Sequence, residues 1–148
     1  MRLKCQTLVA CALLITLAPA HAITAAGVRL VAQAVGPCGD PCVVSANNGG
    51  QIIPFKGAGD AIRSGAGQPL VIDGFCASAC MVMADRARPR ACITPSAVFA
   101  YHKTSWSRSL PLSPDLHHWV MQHGGYPEFN GTPGLMTNQA ARRFWKTC

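Results

Sequence analysis

The chain has 148 residues, 49% of them hydrophobic and 13% charged, and its thirteen Lys and Arg against six Asp and Glu give a formal charge of +7. That length bounds it to one domain with a real but small core, and nothing after Ile23 is apolar for long enough to cross a membrane. The basic residues Arg86, Arg88 and Arg90 fall in a Pro-containing connection without interleaved aromatics, so no nucleic-acid partner is expected.

Taken in chain order, Arg2 and Lys4 precede an apolar stretch from Leu8 to Ala18, and Ala20-His21-Ala22 puts small residues at the two positions a signal peptidase reads. The expected organisation is a signal peptide over 1–22 and one exported domain over 23–148, periplasmic or secreted. Leu8-Val9-Ala10-Cys11 also resembles a lipid-attachment box, but an apolar tail would remain after Cys11, so simple cleavage is preferred. Cleavage lowers the charge to +5 and keeps six cysteines: Cys38, Cys42, Cys76, Cys80, Cys92 and Cys148. An even count in a small exported domain points to disulfides, with the connectivity open; Cys38 and Cys42 flank a turn and are placed to close on each other.

Val28 to Val35 reads as a strand before the Gly36–Pro41 turn, and Val43 to Ala46 as a second. Asn47-Asn48-Gly49-Gly50 breaks the pattern with residues that tolerate positive φ. A short helix is expected over Gly57 to Arg63, stopped near Gly65, and Leu70-Val71-Ile72 reads as a buried strand. Ala79 to Ala84 suits a helix beginning near Ser78, and Ala97 to Tyr101 returns to strand composition, ending at His102. Ser113-Pro114-Asp115 is a helix start, and Leu116, Trp119, Val120 and His123 share its apolar face. A last helix is expected over Asn138 to Lys146. Strands alternating with helices make the class α/β.

Gly49-Gly50 after a strand, Ser78 at a strand-to-helix junction and His102 at the end of the next strand carry the chemistry. Each alone is ordinary: a turn, a helix cap, a surface histidine. Together they supply what acyl transfer needs, a hydroxyl, a base within reach and backbone amides facing a developing oxyanion. The segment Asn48-Gly49-Gly50, a short helix, Leu70-Val71-Ile72 and Ala77-Ser78-Ala79 resembles the proteolytic subunit of Clp proteases and its crotonase-like relatives. Arg90-Ala91-Cys92-Ile93-Thr94-Pro95-Ser96, running on to Tyr101-His102, is similar to that family's strand presenting the catalytic histidine. The intervals, 28 residues from Gly50 to Ser78 and 24 from Ser78 to His102, fit as well, and the resemblance spans about Val43 to His102.

The resemblance implies a shortened Clp protease/crotonase-like α/β fold with ββα units and a C-terminal helical region. It makes Ser78 the nucleophile, His102 its general base, and Gly50 and Ala79 the oxyanion-hole donors, acting on a peptide or ester substrate without a cofactor. The family's third residue, an aspartate far downstream, has no counterpart; Asp115 and Glu128 are the downstream acids, and neither sits in a matching motif. No ATPase partner is expected for an exported chain, and the oligomeric state is not legible. The cysteines flanking Ser78 read as structural, fastening the junction with Cys92 on the following strand as one candidate partner. His117, His118 and His123 do not share a helix face as metal ligands, so no metal is expected. Trp106, Trp119 and Trp145 read as core or rim packing; Asn130-Gly131-Thr132 matches a glycosylation acceptor pattern, which means nothing if the signal peptide, equally bacterial in character, is a bacterial one. A rival expectation is a non-catalytic, disulfide-stapled domain of the same architecture that binds a protein partner or small ligand.

Overall fold

The structure, a computed structural model, describes residues 22–148; the proposed signal peptide and Cys11 lie outside the described residues, apart from Ala22. Helix α1 (Ala25–Val35) opens the fold where a strand was expected. The valines suggest a strand, but Ala25, Ala26, Ala32 and Ala34 favour a helix, and Thr24 Oγ1 accepts from the Gly27 amide as its cap. Gly27 and Val31, one turn apart, are the buried positions, and they face α2 (Ile52–Ser64). That helix is longer than expected and stops at Gly65 in a left-handed turn.

Strand β2 (Leu70–Ala77) is the axis of a six-stranded mixed sheet. Along one flank runs β1 (Cys42–Asn47), parallel, from Cys42 opposite Leu70 to Asn47 opposite Cys76. The other flank is shared. The first half of β2 pairs with β3 (Ala91–Ile93) and the last with β4 (Val98–Tyr101), both parallel. The run from Arg90 to His102 is therefore two strands, not one. A turn at Thr94–Ala97, closed by the Ala97 amide on the Thr94 carbonyl, moves the chain from one half of β2 to the other. Gly74 makes a close approach possible: a Cβ there would lie 2.0 Å from the Ser45 carbonyl oxygen. β1 shifts register at that point, between Val44 and Ala46.

Between β2 and β3 lies α3 (Ala79–Arg86), whose residues Ala79 to Asp85 are all buried. A helix apolar on every side belongs at the centre of a domain, which accounts for its Ala, Met and Val content. Asp85 tolerates burial because the Ser113 amide and hydroxyl donate to it and Arg88 pairs with it. Helix α4 (Pro114–Gln122) buries Leu116, Trp119 and Val120 as its spacing predicts, whereas His123, expected on the same face, is the exposed residue that ends the helix. Strand β5 (Gly134–Met136) adds antiparallel to β4.

Helix α5 (Asn138–Ala141) is far shorter than the expected Asn138–Lys146. Trp145 ends it: its indole stacks on Phe99 and donates to the Ala84 carbonyl, drawing the chain inward. The chain then forms β6 (Lys146–Thr147) beside β3. Three disulfides close the structure: Cys38–Cys42, Cys76–Cys80 and Cys92–Cys148. The first is the expected pair, whereas Cys92 bonds Cys148 and leaves the cysteines around Ser78 to each other. Among the described residues no helix is long and apolar enough to cross a membrane.

Candidate functional site

Three parallel strand ends lie side by side. Asn47 stands opposite Cys76 and Ala77 opposite Ala100, so Gly49, Ser78 and His102 each lie one or two residues past the carboxyl ends of β1, β2 and β4. β2 is in the middle, with neighbouring strands about 4.8 Å apart. Crevices outside the carboxyl ends of parallel strands are where α/β folds place their ligands.

Ser78 turns the chain from strand to helix in one residue, at φ 53° and ψ −116°, a conformation rare for a residue with a side chain. Two features hold it there. Its amide donates to the Ala100 carbonyl at 2.8 Å, and the Cys76–Cys80 disulfide bridges the turn from both sides. The hydroxyl does not cap α3, so the ordinary role of a serine at a helix start is not the one it plays. Ser78 is 8% exposed.

The loop after β1 rests directly on this turn. A Cβ on Gly49 would lie 2.5 Å from the Ala77 carbonyl oxygen and 2.9 Å from the Ala79 nitrogen, and Gly49 itself has φ +79°. Its amide is taken by the Asn47 side chain at 2.8 Å. Gly50, next in the chain, is exposed, and its amide donates to no backbone carbonyl in the loop. Ala79 is the first residue of α3, where no preceding helical carbonyl exists to receive its amide, at the positive end of the helix.

His102 is half-buried beyond β4. Its Nδ1 lies 2.5 Å from the Lys103 carbonyl oxygen, and its ring meets the edge of Phe129 at 5.2 Å between centroids. A carbonyl only accepts, so Nδ1 carries the proton and Nε2 the lone pair. The Lys103 amide donates to the Pro127 carbonyl at 2.7 Å, and its ammonium pairs with Glu128.

Comparison with known proteins finds neither a family model nor a curated protein that matches the chain. The site is thus read from its own residues. Of the downstream acids, Asp115 is committed elsewhere: Arg88 contacts it at 2.6 Å and the Ser113 hydroxyl at 2.7 Å, and Arg88 above all pulls its pKa down to about 2. That cluster lies at the other end of α3 from Ser78, roughly 10 Å along the helix axis at 1.5 Å per residue. Glu128 is close in the chain to Phe129, but its carboxylate is on Lys103 rather than the His102 ring.

The remaining candidates separate. His117 meets the Tyr126 hydroxyl at 3.1 Å, His123 stacks on Trp119 and bonds its carbonyl, and His118 is exposed. Among the described residues no three His, Cys, Asp or Glu side chains gather as a metal site. Burial, helped by Asp85, pushes the Tyr126 hydroxyl up to about 12, so it stays protonated beside His117. Trp119 and Trp145 are core residues, while Trp106 is 84% exposed. One participant was read only in part, and one escaped the sequence reading. Gly49 was visible within Gly49-Gly50, but its close approach was not; the Lys103 carbonyl has no sequence signal, since every residue carries one.

Proposed function

We propose that the chain is an exported serine hydrolase, a peptidase or esterase, acting through an acyl-enzyme at Ser78. The observation that carries this reading is the serine itself. It is held at positive φ on a stapled strand-to-helix turn with its hydroxyl unused by the helix, beyond the carboxyl ends of three neighbouring parallel strands. A strained strand-to-helix turn of this kind is a recurring seat of a nucleophilic serine in α/β hydrolases. The resemblance to Clp protease subunits and crotonase-like proteins supports the same assignment, and three disulfides fit an oxidising compartment outside the cytoplasm.

In this mechanism His102 Nε2 accepts the Ser78 proton as Oγ attacks the substrate carbonyl carbon. The amides of Gly50 and Ala79 donate to the oxyanion of the tetrahedral intermediate. His102 then protonates the departing amine or alkoxide, leaving an acyl ester on Ser78. A water molecule, deprotonated by the same nitrogen, attacks the ester, and collapse returns the proton to Ser78. A second reading, a non-catalytic domain that binds a partner, draws on the low exposure of Ser78 and on the lack of a carboxylate bonded to His102 among the described residues.

A fluorophosphonate probe distinguishes them. The oxidised protein is expected to take one label, lost in Ser78→Ala and slowed at least about a hundredfold in His102→Ala. Labelling that persists in Ser78→Ala overturns the assignment, and an unlabelled wild-type protein favours the binding domain.

A further inference from the structure

A Ser-His pair needs its imidazole held in one tautomer, which an acid usually secures by accepting the Nδ1 proton. Among the described residues no carboxylate bonds the His102 ring, yet Nδ1 is occupied, by the Lys103 carbonyl at 2.5 Å. That carbonyl belongs to a residue held through both its main chain and its side chain. The Lys103 amide donates to Pro127, the Lys103 ammonium pairs with Glu128, and Phe129 lies edge-on to the imidazole. Residues Pro127 to Phe129 thus form a clamp over His102 and Lys103.

We infer that this clamped main-chain carbonyl takes the orienting role of the missing acid, with Lys103 and Glu128 as positioning residues that act through it. For its catalytic consequence the inference rests on the hydrolase reading. The chemistry is consistent in charge. Glu128 neutralises the Lys103 ammonium, which would otherwise oppose the imidazolium formed when His102 takes the serine proton. Glu128 therefore serves His102 without touching it.

The test has one readout independent of activity. Nitrogen-15 NMR of the neutral histidine ring in oxidised wild-type protein is expected to show Nδ1 protonated and Nε2 bare, with mixed tautomers in Glu128→Gln and Lys103→Met and recovery in Lys103→Arg. An Nε2-protonated ring in the wild type, or an unchanged Nδ1-protonated ring in every variant, overturns the clamp. Labelling kinetics give the second readout. Glu128→Gln and Lys103→Met are each expected to slow fluorophosphonate labelling on the order of tenfold, and the double variant no further than either single change. A loss of about 10⁴ in Glu128→Gln with Lys103→Met unaffected would instead make Glu128 the acid itself. The Glu128 side chain is 66% exposed and the Lys103 side chain 34%, so neither substitution opens a core cavity. Absence of labelling in the wild type defeats the hydrolase reading, while the ring tautomer still decides the clamp.

Discussion

At Gly49 one methyl group decides whether the loop after β1 can rest on the Ser78 turn. The nearest obstacles to a Cβ are the Ala77 carbonyl oxygen and the Ala79 nitrogen, both backbone atoms that cannot rotate aside. Gly49→Ala is expected to lose about 1–3 kcal/mol in urea unfolding, from the positive φ and the contact together. It should also slow fluorophosphonate labelling more than tenfold, because the Gly50 amide travels with the displaced loop. Unchanged labelling in a folded Gly49→Ala protein would separate this loop from the oxyanion site. The glycine pair, the serine and the histidine were all legible because special backbone positions demand unusual residue types. The partition of labour between Gly49 and Gly50 was not, since it depends on which amide Asn47 takes.

Helix α3 connects the site to its support: Ser78 stands at its start, and Asp85, Arg88, Ser113 and Asp115 gather at its end. Asp115 has its pKa lowered from 3.8 to about 2, so its charged form is favoured by folding. Its contribution is complete above the ordinary carboxylate range and is lost as pH falls through about 2. Asp115→Asn should therefore flatten the acid side of the stability profile, with the largest difference from wild type above pH 5 and convergence toward pH 2. Urea titrations across that range check the sign; divergence at low pH would refute it. At this scale β1, β4 and the first three residues of β2 were readable from their short apolar runs, although β1 is buried only on alternate residues of its first half. Helix α1 was misread because its valines outweighed the alanines and the Thr24 cap. β5 and β6 are strands only through their partners, β4 and β3, which no local pattern announces.

Across the molecule the disulfides divide by the length of chain they close. Cys92–Cys148 spans 56 residues, whereas Cys38–Cys42 and Cys76–Cys80 each span four. Loop-closure entropy gives about 4 kcal/mol for the long loop and about 2 kcal/mol for each short one. Replacing Cys92 and Cys148 by alanine, which puts no polar atom in the core, should thus cost more stability than replacing Cys76 and Cys80 by alanine, while only the latter pair alters labelling at Ser78. Denaturant unfolding beside labelling kinetics tests both halves, and a reversed order in either one rejects the division. The α/β class was visible in the alternation of strands and helices, but the unequal flanks of β2 were not, because one apolar strand does not reveal how many neighbours share it. That sharing has an evolutionary reach. β3 and β6 grip the base of β2, and β4 and β5 grip its tip, so two branches hang from one stem. Substitutions along the lower branch can tune how firmly the molecule holds together while the upper branch keeps its geometry, leaving durability and reactivity free to drift at separate rates.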